Sequence, residues 1–536
     1  MSAIRKRIKK ILTLALTASL CSVMTITAFA DEPYNSYSYD SWEEPIPSQS
    51  AYRISRTITG YEIGLNQLRD PGSAYYVADD AVVTLSGARD LFCDEDAREF
   101  WIADTGNHRI IRTDEDFKLR GIYYGVSGSS EINKDETTGL SNFNEPMGIY
   151  VKTSMYTNDK MVYIADNKNA RVVKAKLTTS NTLELVQEYT KPEEGLYTQS
   201  TFNPSKVIAD NAENVYAVVT SVNTGAVQFS RDGSFTGFYG ANRVEVTAKV
   251  IAQTLWRKFA SNDQINAMER NVPSEYNNFD IDSEGFIYTV TEKGNTSTDA
   301  VKKLNSAGYN IWNNNAGNEY KFGDITDAVW DSVSNKKHNK MLTDIVVDRF
   351  GRMNVLDFET GRVFQYDKNA NLICIFGTKT SSADQRGSFS QPNAVETLGE
   401  NVYVIDGSKN DITVFTTTTF GQQVHKAVNL YDEGKYTDAV PYWNNVMDRD
   451  GLYTLAYIGM GKASLNQEKY SEALDYFKTA YDRDDYDKAF KYAREDFLRE
   501  HFTAVIIIVL VIIALFIVRK VLISKGIIVI HERERI

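Results

Sequence analysis

Two turn sequences share an Asp that is followed five residues later by an Arg. They are FWIADTGNHRII at 100–111, with Asp104 and Arg109, and VYIADNKNARVV at 162–173, with Asp166 and Arg171. An Asp at the end of a strand can accept hydrogen bonds from turn amides and pair with an Arg across the turn. The same groups, if exposed, would contact a ligand. We favour the first interpretation, a structural ion pair.

Residues suited to metal or nucleophilic catalysis are few between positions 52 and 415. The histidines there are His108 and His338, too few for a zinc site with several imidazole ligands. No HExxH, GxSxG or CxxC motif occurs, and the three cysteines suggest no disulfide framework. Asp, Glu and Asn suit calcium, but the sequence singles out no set of them. We therefore assign no catalytic, metal-binding or ligand-binding residue and no cofactor, and calcium stays an unsupported alternative.

The turn sequences belong to a longer repeat of six units, each reading as strand, Asp or Gly turn, strand, polar turn and strand. Later copies are FNPSKVIADNAENVYAVV at 202–219, YNNFDIDSEGFIYTVT at 276–291, MLTDIVVDRFGRMNVLD at 341–357 and FSQPNAVETLGENVYVID at 389–406. A single unit cannot bury both of its faces, so the copies must pack side by side. About four strands per unit at this spacing is typical of propeller blades.

The motif PxGIxV followed by VYIADNxNxRV resembles the NHL repeat, which implies a six-bladed β-propeller over residues 52–415. The units at 202 and 276 depart from the motif, with Val219 and Thr291 in place of the Asp. The stretch AYRISRTITGYEIG, 51–64, is predicted to supply the strand that closes the ring. A segment with helical spacing, 242–270, interrupts the array and is predicted to cap one face of the disc.

A second repeat follows the first. AVNLYDEGKYTDAVPYWNNV and GKASLNQEKYSEALDYFKTA align without gaps at an offset of 34 residues, which matches Tyr436 with Tyr470, Ala439 with Ala473, Trp443 with Phe477 and Val446 with Ala480. This is the tetratricopeptide (TPR) period. The sequence therefore predicts two TPR hairpins and a capping helix over 420–500, which form either a peptide-binding groove or a rigid stalk.

Both ends of the chain indicate membrane targeting. The basic MSAIRKRIKK, the apolar ILTLALTASL and AFA before Asp31 predict a signal peptide over 1–30. An acidic, Tyr-rich leader at 31–51 is expected to be mobile. FTAVIIIVLVIIALFIV, 502–518, is predicted to cross a membrane, and the positive charges after it place the tail, 519–536, in the cytoplasm.

These features predict a mainly β chain: an NHL-type propeller, a small α-helical TPR array and one transmembrane helix. The net charge of −12 argues against a nucleic-acid partner. We expect a single-pass protein of a bacterial, Gram-positive, cell membrane with its N-terminal part outside. Its expected role is protein–protein binding or scaffolding beside a membrane complex, such as a solute or sugar ABC transporter. The alternative is an extracytoplasmic propeller enzyme, a metal-dependent lactonase or lyase, because the NHL resemblance extends to amidating lyases and six-bladed gluconolactonases hold calcium on their axis.

Overall fold

The computed structural model describes residues 32–193, 197–240, 275–291, 300–312, 320–325, 329–331, 336–338, 340–380 and 385–525. Three predicted segments lie wholly or mostly outside these ranges: the signal peptide at 1–30, the helical insertion at 242–270 and the C-terminal tail.

Six antiparallel sheets are arranged as the blades of a β-propeller, with strands A to D named outwards from the axis. Blade 1 is Asp90–Asp94, Glu99–Asp104, Arg109–Asp114 and Leu119–Tyr123; blade 2 is Pro146–Thr153, Lys160–Asp166, Arg171–Leu177 and Leu183–Thr190; blade 3 is Pro204–Ala209, Val215–Val219, Ala226–Phe229 and Phe235–Tyr239. Blade 4 is Tyr276–Ile281, Ile287–Thr291 and Val301–Leu304; blade 5 is Leu342–Val347, Met353–Asp357, Arg362–Tyr366 and Leu372–Phe376; blade 6 is Pro392–Leu398, Asn401–Asp406, Asp411–Thr417 and Tyr52–Ile58. The prediction of six blades is confirmed.

The ring closes with a strand from the beginning of the chain. Tyr52–Ile58 pairs antiparallel with Asp411–Thr417, so blade 6 combines both ends of the propeller sequence. The B strands are buried along most of their length, as in Lys160–Asp166, because both faces pack against neighbouring blades. The predicted closing strand within 51–64 is therefore confirmed. After it come a short helix α1, Gly60–Ile63, and a 3-10 turn, Leu65–Arg69.

The two ends of the disc differ in their connections. At one end, short turns such as 95–98, 178–182 and 348–352 join strand A to B or C to D. At the other end lie the B–C turns and the longer segments that lead from one blade to the next, such as 124–145. We call these ends the helix face and the loop face, because the C-terminal helices leave from the first of them.

The C-terminal helices form an antiparallel array. They are α2 (Thr419–Asp432), α3 (Tyr436–Met447), α4 (Thr454–Asn466), α5 (Tyr470–Thr479) and α6 (Arg483–Glu500). Of the residues that repeat at an offset of 34, the Ala, Trp/Phe and Val/Ala pairs are buried, while Tyr436 and Tyr470 are half-buried. Trp443 lies against Gly459, and Phe477 against Gly461. A Cβ atom at position 459 would clash with Trp443 Nε1, so Gly459 allows the indole to approach the α4 backbone. The predicted helix pairs are present, and their assignment to the TPR family stays a prediction.

One continuous hydrophobic core joins the array to blades 5 and 6. Phe376 and Phe415 of the propeller pack in the same cluster as Phe420, Val424 and Tyr453 of the helices. The Tyr453 hydroxyl also donates to the Ile373 carbonyl oxygen at 2.7 Å. The array is therefore fixed on the helix face and does not hang from a flexible linker.

A buried polar network lies at the same junction. The His425 ring, on α2, contacts Glu400 through Nδ1 and Gln365 through Nε2, at 2.5 and 2.7 Å, and Arg352 donates to both Glu400 oxygens. Burial lowers the pKa of His425 and Arg352 lowers it further, whereas Glu400 opposes this shift. The pKa of Glu400 falls to about 2: burial opposes that fall, but the contacts with His425 and Arg352 outweigh it. The junction is thus held by charge-assisted bonds as well as by apolar packing.

The leader is ordered, so the expectation of a mobile segment is wrong. Tyr37–Tyr39 and Pro45–Pro47 form a hairpin, and the hydroxyl of Tyr39 donates to Asp324 Oδ1 at 2.8 Å. The hydroxyl of Tyr34, which is buried, donates to the carbonyl oxygen of Tyr52. Tyrosine composition suggested exposure, but here the rings pack while each hydroxyl keeps a hydrogen-bond partner.

The last described helix, α7, runs from Phe502 to Ser524. It has a mean hydropathy of 3.1 and is the one helix in the described ranges that is long and apolar enough to cross a membrane. At 1.5 Å per residue its 23 residues span about 35 Å, so the helix extends beyond the 502–518 segment predicted from composition.

Candidate functional site

The two predicted ion pairs are formed and are buried. Arg109 Nε donates to Asp104 Oδ2 at 2.7 Å, and Arg171 Nε donates to Asp166 Oδ2 at 2.8 Å. The side chains of Asp166 and Arg171 are both 0% exposed. Burial raises the pKa of Asp166, and Arg171 opposes this shift. Buried groups cannot contact a ligand at the mouth, so the structural interpretation of these residues is confirmed.

These Asp residues also hold the segment that leads into each blade. The second carboxylate oxygen of Asp104 accepts the Ser86 amide, and that of Asp166 accepts the Asn144 amide. In blade 5 Asp357 likewise accepts the Met341 amide. Each Asp therefore holds the segment before its blade in place on the loop face. The repeated sequence alone did not indicate this role. Blades 3 and 4, with Val219 and Thr291, lack this carboxylate.

Blade 5 keeps the Asp but changes the partner of its Arg. Arg362 Nη1 donates to Asp324 Oδ2 at 2.6 Å, and its guanidinium lies over the Tyr37 ring of the leader hairpin. The segment before the blade thus supplies the carboxylate that Asp104 and Asp166 supply within their own turns.

Of the two histidines of the propeller, the structure describes the side chain of His108 only. His108 lies in a turn and accepts the Glu145 amide through Nδ1 at 2.9 Å, while the side chain of His338 lies outside the described part of the chain. Among the described residues, no group of three or more His, Cys, Asp or Glu side chains is placed to hold a metal ion. Cys93 and Cys374 are free and buried.

The main unpredicted cluster lies on the propeller axis. The A strands place two levels of side chains around a small cavity, because residues two apart on a strand point the same way. The level nearer the loop face contains Asp90, Lys206, Asn278 and Asp344, and the next contains Phe92, Tyr150, Ile208, Asp280, Val346 and Glu396. Lys206, Asn278 and Asp344 occupy equivalent positions in their A strands, directly after a shift in the register between strands A and B. The recurrence of a polar residue at this position of the repeat is the sequence feature that could have indicated the cluster.

Lys206 supplies the positive charge of this cluster. Its Nζ lies 2.5 Å from Asp90 Oδ1 and 3.7 Å from Asp344 Oδ1. Burial lowers the pKa of Lys206, but Asp344 and Asp90 outweigh that effect and raise it overall. Lys206 therefore stays protonated.

The acidic groups around it are destabilised as anions. Burial raises the pKa of Asp280 and of Asp344 to about 7, with Lys206 opposing the shift at Asp344. Burial raises the pKa of Glu396 well above its usual range, and neighbouring carboxylates add to this. Near neutral pH the axis therefore holds a mixture of charged and neutral carboxyl groups.

The axial cavity is small. Its volume of about 30 Å³ is enough for one or two water molecules, whereas pockets for organic ligands measure about 300–1,000 Å³. Acid–base groups with a pKa near 7 could exchange protons with such water. In the described part of the chain, the axis has no room for a sugar lactone.

A second candidate site lies on α6, at the junction with the apolar helix. Phe490 and Phe497 are 51% and 57% exposed, and Leu498 is also exposed. Residues seven apart lie on the same side of a helix, and the Phe497 ring stacks on His501, 4.4 Å away, directly before α7. An exposed apolar strip thus continues into the helix that is suited to a membrane. Sequence periodicity missed it because α6 was predicted only as a cap.

Comparisons with known proteins find similar folds only. No protein-family model matches the chain, and no curated protein matches it significantly. Among solved structures, virginiamycin B lyase from Staphylococcus aureus has 11% identity and a TM-score of 0.34, with 61% of this chain and 80% of that chain covered. A gluconolactonase from Xanthomonas campestris has 9% identity and a TM-score of 0.35, with 72% and 99% covered. Neither likeness carries information on activity.

Proposed function

We propose that the chain is a membrane-anchored scaffolding protein whose helix α6 binds another membrane protein. The observation that carries this proposal is the exposed apolar strip of Phe490, Phe497 and Leu498, directly before the apolar helix α7. Large apolar side chains that cluster on an exposed surface are typical of interaction sites. A partner in the same membrane would meet this strip at a high effective concentration.

The fixed array supports the same role. The core shared by blades 5 and 6 and the helices makes the propeller and the array one rigid body, so α6 has a defined position relative to the disc. We propose that the propeller lies outside the cell with its loop face directed away from the membrane. The C-terminal tail would then be cytoplasmic, and the partner would be a solute or sugar transporter complex.

The lactonase alternative has less support. An enzyme of that kind needs a cavity that admits its substrate, and the described axis holds about 30 Å³. Turnover of a lactone by the purified full-length protein would favour the alternative.

We expect the double variant Phe490→Ser/Phe497→Ser to lose about tenfold in partner recovery, because a pair of exposed aromatic anchors typically contributes more than 1.4 kcal/mol to binding. The measurement is affinity capture of tagged full-length protein from detergent-solubilised membranes, with quantitative mass spectrometry. Glu495→Ser/Arg499→Ser, two exposed residues on the opposite side of the same helix, is the matched control. Equal recovery from both variants, at equal melting temperature, would contradict the proposal.

A further inference from the structure

We propose that Lys206 is the resident cation of the propeller axis, in the place where a metal ion would otherwise balance the axial carboxylates. Its side chain comes from blade 3, while Asp90 and Asp344 come from blades 1 and 5, so three alternate blades meet at one ammonium group. This role of Lys206 does not depend on the proposed function.

The carboxylate oxygens on the propeller axis do not suit a divalent cation, because most of them accept hydrogen bonds from backbone amides. Asp90 Oδ2 accepts the Ile149 amide at 2.7 Å, and Asp344 Oδ2 accepts the Val395 amide at 2.6 Å. Both oxygens of Asp280 accept amides, from Val347 and Ile281. These bonds satisfy A-strand amides, because strand A is the edge strand of each blade. Calcium requires six to eight oxygens, and most of the carboxylate oxygens here are already used.

The remaining oxygens point to the ammonium. Asp90 Oδ1 accepts from Lys206, and Asp344 Oδ1, which is buried, has no hydrogen-bond partner among the described residues and lies 3.7 Å from Lys206 Nζ. The ammonium group of Lys206 is covalently attached to the chain. No free ion therefore has to lose translational entropy to supply the positive charge. The axis is thus built around an internal cation.

Charge balance makes this arrangement sensitive to pH. The ionisable groups that face the cavity from the A strands are Asp90, Tyr150, Lys206, Asp280, Asp344 and Glu396. One cation neutralises one carboxylate, so the other acids stay neutral until the pH rises. Their pKa values are higher in the folded than in the unfolded chain. The stabilising contribution of Asp280 and Asp344 is therefore complete below about pH 4 and is lost as the pH rises through about 7.

Lys206→Met tests the proposal, since methionine keeps an unbranched stem without the charge. We expect its loss of melting temperature, measured on the full-length protein in detergent, to be roughly twice as large at about pH 8 as at about pH 5.5, because protonation replaces the missing counter-charge. An equal loss at both pH values would show that only packing was removed and would overturn the proposal.

Two further measurements cover the case in which this variant does not fold. Lys206→Met with Asp90→Asn removes both charges of the closest pair, and we expect it to fold and to melt at a higher temperature at about pH 8 than Lys206→Met alone, because the Asp90 carboxylate is no longer left without its cation. A double variant that is no more stable than the single variant would contradict the assignment. Calcium added to the wild type should leave its melting temperature unchanged; a calcium-dependent rise that is absent in Asp344→Asn would show an axial metal site and overturn the proposal.

Discussion

Asp166→Ala will lower the free energy of unfolding of the propeller by about 3–5 kcal/mol, the cost of removing one partner of a buried ion pair. The variant leaves the Arg171 guanidinium buried beside Glu188, Ser130 and Ser141, and it frees the Asn144 amide. Thermal or denaturant unfolding of the full-length protein in detergent is the measurement.

A double-mutant cycle separates the ion pair from general damage to the turn. Asp166→Ala with Arg171→Met removes both charges, and we expect it to be destabilised by less than the sum of the two single variants, because each single variant already breaks the bond between the two side chains. Lys168→Ala, at an exposed position of the same turn, should change stability by less than about 0.5 kcal/mol. If the single variant melts as the wild type does, Asp166 does not hold the loop face.

Trp443→Ala should destabilise the helical array by about 3–5 kcal/mol, the usual cost of truncating a fully buried Trp. The indole is 0% exposed and lies in the core shared by the helices and blades 5 and 6. Hydrogen exchange should therefore increase in α2 to α4 before it increases in blades 1 to 3.

The control for this variant is Asn444→Ala, one residue along the same helix and exposed. It should leave both the melting temperature and the exchange pattern unchanged. A uniform increase of exchange in all six blades of the Trp443 variant would show that array and propeller unfold as one unit, contrary to this expectation.

Features that repeat along the chain could be predicted from the sequence. Six strand units predicted six blades, and the spacing between Asp166 and Arg171 predicted their ion pair. Burial could not be read from the turn sequence: an exposed pair would contribute about 0–1 kcal/mol, whereas the structure encloses both side chains completely.

Features that depend on how the ring closes could not be predicted. Lys206 and Asp344 lie 3.7 Å apart although they belong to blades 3 and 5, and only the circular arrangement brings them together. Arg362 and Asp324 are also brought together only by folding, because Asp324, which precedes blade 5 in the chain, lies beside the Arg362 side chain of that blade. The leader was misjudged because its composition does not show that Tyr34 has a buried site beside Tyr52.

Position-specific photo-crosslinking in intact cells tests whether the exposed strip of α6 contacts a membrane partner. A photoreactive phenylalanine analogue replaces Phe497 in one variant and Glu495, on another side of the same helix, in the other. We expect a covalent adduct with one membrane protein from position 497 and little or none from position 495. Adducts of equal yield from both positions, or none from position 497, would contradict the proposed contact.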